Sequence, residues 1–318
     1  MEEKQINKYL RRQFTAIGWA LVGYYCIMNI LVMAAMFADV MEQYLRAFLS
    51  GNYTFAPDTQ ALEGNAWGYI LTTLVGLVIL NAWKGTDFWK TDILVKEKPM
   101  TAGTLLCVLC LCVGSQMVNS IWINLLEVVL NCFGLSVMNL LESVSGSSDT
   151  FSMFLYSAIF APITEEIFFR GYILRSLRPY GKRFAIFTSA FLFGLFHGNL
   201  LQTPYAFLIG LVLGYVTGEY AIGWAMLLHL FNNLVVADLL TRLTANLSEM
   251  AVGVINLVIF GSFFIAAIAI LITKRREIRD YNRGEWMDRR CLKCFFLSSG
   301  VIALTVIMVI NIILMLFV

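Results

Sequence analysis

Apolar runs of about 18 residues or more recur nine times along this 318-residue chain. They lie near 14–38, 66–83, 103–128, 150–172, 184–201, 203–219, 222–240, 251–273 and 295–318. Each is long enough to cross a bilayer core of roughly 30 Å. Inside hydrocarbon every backbone N–H and C=O must be satisfied within the segment, so such runs fold as helices. The pattern predicts an all-α polytopic membrane protein with about nine transmembrane helices. A hydrophobic share of 59%, a charged share of 14% and a mean hydropathy of +0.75 exclude an ordinary soluble domain.

Charge placement tests the count. If the amino terminus is cytoplasmic, nine crossings leave 1–13, 84–102, 173–183, 219–221 and 274–294 on the inner side. These segments hold 20 of the 23 Lys and Arg residues, eight of them in 274–294. Arg170 falls within the fourth span, and Arg46 and Arg242 lie on the outer side. The bias of Lys and Arg toward cytoplasmic loops therefore supports nine spans and an inner amino terminus. The first apolar run is too long for a signal peptide and reads as an uncleaved anchor.

The chain divides into membrane helices over 1–149, a chemically distinctive core of four helices over 150–240, and accessory helices over 241–318. The outer loop near 41–65 is expected to form a short interfacial helix. The basic stretch 274–294, with Trp286, reads first as a topology anchor and second as a surface for anionic headgroups. Gly210, Gly214 and Gly218 recur every fourth residue, as helices that approach closely require. Five of the seven cysteines, Cys26, Cys107, Cys110, Cys112 and Cys132, lie in or beside spans and read as small hydrophobes. Cys291 and Cys294 have zinc-ligand spacing but no second pair, so a juxtamembrane or palmitoylated pair is the expected reading.

Ionisable groups inside hydrocarbon are costly and mark function. Both histidines of the chain, His197 and His229, fall inside apolar segments that are expected to be helical. Glu165, Glu166 and Arg170 occupy the preceding span, and Asn233 follows His229 by four residues. At 1.5 Å rise per residue, Glu165 lies roughly 15 Å, His197 roughly 20 Å and His229 roughly 10–15 Å above the inner ends of their spans. They share a depth and can meet. Glu166 and Arg170 form an i,i+4 pair in the favourable order, which turns Glu165 toward a separate face. His229 and Asn233 share a face, with Asn232 close to it, and Phe193 lies one turn before His197.

Peptide hydrolysis needs a base for water and donors where the carbonyl oxygen becomes negative. Glu165 suits proton shuttling, His197 could hold the same water, and His229 and Asn233 could supply the donors. Glu166 and Arg170 would support them by fixing the helix rotation. The competing reading, structural ties between helices, suits any one of these residues better than the whole set.

The Glu-Glu-x-x-x-Arg, Phe-x-x-x-His and His-x-x-x-Asn patterns, in this order over about 150–240, resemble the CPBP (Abi) family. That family includes the type II CAAX prenyl endopeptidases and bacteriocin-processing or immunity proteins. The resemblance implies an intramembrane endopeptidase with Glu165 as general base, aided by His197. It assigns the oxyanion site to His229 and Asn233, with Glu166 and Arg170 in support.

Two histidines and a glutamate (His197, His229 and Glu165) also make a zinc donor set with an open position. Their spacing is not His-Glu-x-x-His, and Asn233 is a poor zinc ligand, so no cofactor is expected and zinc is the alternative. The expected partners are a peptide or lipidated protein substrate and membrane lipid, with no nucleic acid. A non-enzymatic immunity or scaffold protein of the same fold is the competing function. The composition is in the style of a low-GC Gram-positive chain, so a bacterial plasma membrane is the expected location.

Overall fold

The computed structural model describes residues 3–58, 64–137, 150–284 and 288–316. Each of the nine apolar runs contains a helix, and among the described residues the extended backbone is limited to one isolated bridge, Lys96 to Ala221. The helices are α1 (Glu3–Leu49), α2 (Trp67–Lys84), α3 (Ala102–Asn131), α4 (Phe151–Tyr180), α5 (Lys182–Phe196), α6 (Thr203–Glu219), α7 (Ile222–Thr244) and α8 (Glu249–Thr273). They are followed by α9 (Arg275–Gly284), α10 (Arg289–Phe296) and α11 (Ser299–Met315). The protein is an all-α polytopic membrane protein.

Six helices, α1 to α4 with α7 and α8, are each long and apolar enough to cross a membrane alone. α10 and α11, bent by 59° at their junction, make a seventh crossing when taken together. The remaining two expected spans are the short ones. α5 has 15 residues and α6 has 17, about 22 and 26 Å at 1.5 Å per residue. Both are largely buried, so other helices rather than lipid surround them. α8 is the opposite case: only Phe260 and Ala267 are buried along its 25 residues, as a lipid-facing helix requires.

The segments expected on the inner side do meet at one end. Glu219, at the end of α6, pairs with Lys98 at 2.7 Å and with Lys182, and accepts a hydrogen bond from Tyr281 at 3.0 Å. Glu97 pairs with Arg175 at 3.2 Å and with Arg178. Arg183 donates to the Asn282 carbonyl, and Arg290 pairs with Glu3. At the other end Asn65 donates to Asp39, and Thr150 reaches the Gly64 carbonyl. The observed pairing thus links all five basic segments at one end of the bundle.

The glycine stripe on α6 is a packing device, as expected. A Cβ at Gly210 would meet the Ala190 backbone at 3.1 Å, and one at Gly214 would meet Ile186 at 3.2 Å. Gly218 is looser, 3.6 Å from Lys182. The first and last helices cross still closer: a Cβ at Gly18 would lie 2.2 Å from the Gly300 carbonyl carbon.

Two expectations are corrected. Residues 41–49 form no separate interfacial helix but continue α1, which runs unbroken for 47 residues; Glu63 lies outside the described residues. His197 is not inside a helix: α5 ends at Phe196, and the chain turns through Gly198 at φ +60°. The apolar run reads through this turn because Leu200 and Leu201 resume it just beyond Gly198 and Asn199. Trp286 also lies outside the described residues. Cys291 and Cys294 are buried against α1, with Cys294 Sγ 3.7 Å from Asn7 Oδ1, and all seven cysteines are free.

Candidate active site

α4 is not a uniform α-helix. It is π-helical over Tyr156–Phe160 and Ile167–Leu174, on either side of the Glu165-Glu166 turn. α7 is π-helical over Asn232–Leu239. Such wide turns shift side-chain register and recur at functional sites. Pro162 supplies a cause for the first. The Ala161 N–H bonds Tyr156 five residues back, so the Ser157 carbonyl would need the N–H of residue 162, and proline has none. The Asn233 side chain takes that place, donating from Nδ2 to the Ser157 carbonyl at 3.0 Å.

The two adjacent glutamates have different surroundings. Glu166 is fully buried, 3.2 Å from Arg170 and 2.9 Å from His229 Nδ1. Glu165 is 29% exposed and faces a cavity of about 700 Å³, with its Oε2 3.8 Å from His229 Nε2. The i,i+4 reading of Glu166 and Arg170, and the turning of Glu165 onto another face, therefore both match the geometry. Arg170 is fully buried and holds its place through charge and ring contact. Its guanidinium lies 4.2 Å over the Phe193 ring, and none of its nitrogens makes a well-formed hydrogen bond among the described residues.

Phe193 is the hub of the site. His197 stands edge-on to it at 4.9 Å and His229 at 5.8 Å. The Phe193 carbonyl also bonds His197 Nδ1 at 2.8 Å, which leaves Nε2 to the cavity side. The turn carrying His197 is pinned from outside the core. Asn311 of α11 donates to the Gly198 carbonyl at 3.1 Å, and Trp122 of α3 donates to the Leu200 carbonyl at 2.9 Å.

Glu165, His197, His229 and Asn233 all line the one cavity, while Glu166 and Arg170 sit behind it. Sequence reasoning missed several other lining residues: Tyr24 of α1, Thr73 of α2, Gln116 and Asn119 of α3, Tyr156 of α4 and Tyr205 of α6. Gln116 and Asn119 carried a readable signal, two amides at i,i+3 in an apolar span. Tyr24 and Tyr205 carried none, because aromatic residues are ordinary there. Among the described residues no three His, Cys, Asp or Glu side chains converge as a bound metal would need.

Residues 147–235 match the family described as type II CAAX prenyl endopeptidase Rce1-like. Comparison with curated proteins and with solved structures gives no match. The matched segment contains Glu165, Glu166, Arg170, His197, His229 and Asn233. Over this segment, less than a third of the chain, the sequence is similar to the CAAX-type proteases of that family.

Proposed function

We propose that this protein is a membrane-embedded endopeptidase that cleaves a peptide or lipidated protein with a glutamate-activated water and no metal. The observation that carries the proposal is the division of labour between adjacent carboxylates. Glu166 is tied to Arg170 and His229, whereas Glu165 has an oxygen free in the cavity, within 4 Å of His229 Nε2.

In this reading Glu165 takes a proton from water as the water oxygen attacks the scissile carbonyl, and His197 Nε2 orients that water. The carbonyl oxygen becomes an oxyanion and needs donors already in place. Asn233 offers its second amide N–H, the first being held by Ser157. His229 donates its Nδ1 hydrogen to Glu166, so its Nε2 can donate only from the imidazolium form. As the tetrahedral carbon collapses, the C–N bond breaks and Glu165 returns its proton to the leaving amine. Membrane lipid is the surrounding medium and no nucleic acid takes part. The concentration of basic residues at one end supports a cytoplasmic position for that end and for the amino terminus.

The test uses purified protein in nanodiscs with quenched fluorescent peptides, farnesylated members included. Wild type should cleave with and without chelator, and Glu165→Gln should lower the rate by about 10²–10⁴-fold. Full activity in Glu165→Gln, or cleavage abolished by chelator, would sink the mechanism. A wild type inert toward every peptide would sink the assignment as an endopeptidase.

A further inference from the structure

The cavity contains a chain of polar side chains that no motif includes. Gln116 Nε2 donates to the Tyr205 hydroxyl at 2.6 Å and reaches Asn232 Oδ1 at 3.3 Å. The Tyr205 hydroxyl donates to Asn232 Oδ1 at 2.7 Å. Asn232 Nδ2 donates to Asn233 Oδ1 at 3.1 Å, and Asn233 Nδ2 donates to the Ser157 carbonyl. Four helices contribute: α3, α6, α7 and α4.

Every link in this chain runs the same way, and that direction has a consequence. A primary amide can flip by 180° and exchange its donor and acceptor ends with little change in shape. An oxyanion site tolerates only one choice, because an amide oxygen turned toward the substrate would repel the developing charge. At Asn233 the choice is fixed from both ends. Its oxygen is held by the Asn232 N–H, and its nitrogen by Ser157. Asn232 must then turn its own oxygen away from Asn233, and two donors, Tyr205 and Gln116, wait there to receive it. The Tyr205 hydroxyl accepts from Gln116 and gives its own hydrogen to Asn232. Buried hydrogen bonds in series reinforce one another, and an unmade one is costly.

We propose that Tyr205 and Gln116 are positioning residues that set the flip of the Asn233 amide through Asn232 and so present an N–H to the substrate carbonyl. The proposal rests on the oxyanion role given to Asn233 above. It locates part of the catalytic geometry on α3, outside the family-matched segment 147–235.

The experiment compares Tyr205→Phe, Gln116→Met and the double variant. Tyr205→Phe should lower kcat about tenfold, the loss of one buried hydrogen bond, with KM within roughly twofold. Gln116→Met should cost less, because Tyr205 keeps its bond to Asn232. The double variant should be no worse than Tyr205→Phe alone, as members of one chain are non-additive. A second measurement needs no activity. In asparagine-labelled protein, the Asn233 side-chain amide signal, assigned by its loss in Asn233→Ala, should move in Tyr205→Phe. Gln116→Met should move it in the same direction, and it decides should Tyr205→Phe not fold.

An unmoved Asn233 signal overturns the proposal, even beside a fallen kcat. An unchanged kcat, or a raised KM alone, overturns it too. If wild type cleaves nothing, the endopeptidase assignment fails, and the Asn233 signal by itself then decides whether the chain of bonds transmits.

Discussion

His229 Nδ1 lies 2.9 Å from Glu166 Oε1, and this one contact separates the roles of two carboxylates adjacent in sequence. The imidazole is anchored on the buried glutamate, so only its Nε2 edge addresses the cavity where Glu165 stands at 3.8 Å. Arg170, buried behind Glu166, supplies the countercharge that lets a carboxylate stay in an apolar interior.

That separation predicts different phenotypes for neighbouring substitutions. Glu165→Gln should lose cleavage while keeping its thermal midpoint, because Glu165 is the partly exposed member. Glu166→Leu should lose stability as well, by about 3–5 kcal/mol, since it strands Arg170 uncompensated in the core. Thermal unfolding in detergent beside a cleavage assay checks both. Equal destabilisation by the two would show that the roles are not divided.

Pro162 keeps the Ser157 carbonyl available to Asn233. In Pro162→Ala the new N–H competes for that carbonyl and loosens the Asn233 amide. Cleavage should fall roughly tenfold, the worth of about 1.4 kcal/mol. The stability change should stay within about 1 kcal/mol, because one hydrogen bond replaces another. Activity equal to wild type would show that Ser157 does not orient Asn233.

Gly210 lets α6 lie on α5, where any Cβ meets Ala190 at 3.0 Å. Gly210→Val should cost about 1–3 kcal/mol through overpacking. It should also reduce cleavage, since Phe193 is within 3.3 Å of the same Cβ and carries both imidazoles. Thermal midpoint and rate measured on one preparation test the pair; loss of neither would refute the close approach.

Glu97 ties the loop before α3 to the end of α4. The Arg178 guanidinium hydrogen-bonded to it, seconded by Arg175, holds its carboxyl below the usual 4.5. A lowered folded value means that the contribution to stability is complete above pH 4.5 and is lost as pH falls through the folded value. The midpoint difference between wild type and Glu97→Gln should therefore be present at neutral pH and shrink as the pH falls below 4.5. A difference that persisted in acid would mean that packing, not charge, holds the loop.

Residue order alone carried much of this protein. Apolar run length and the one-sided placement of Lys and Arg gave the helices and their common basic end, because lipid allows few other solutions. Glu166 with Arg170, and Phe193 with His197, were legible from helical spacing, and the glycine stripe of α6 from its four-residue repeat. What spacing could not convey lies where the helix departs from 3.6 residues per turn or stops. The π-turns of α4 and α7 and the end of α5 at Phe196 depend on Pro162, on Gly198 and on loops pinned by Trp122 and Asn311. Only the tertiary structure decided that Glu166 rather than Glu165 holds His229. It also brought Gln116 and Tyr205, 89 residues apart, to one hydrogen bond. Contacts between helices distant in sequence leave no periodic trace, so packing alone determines them.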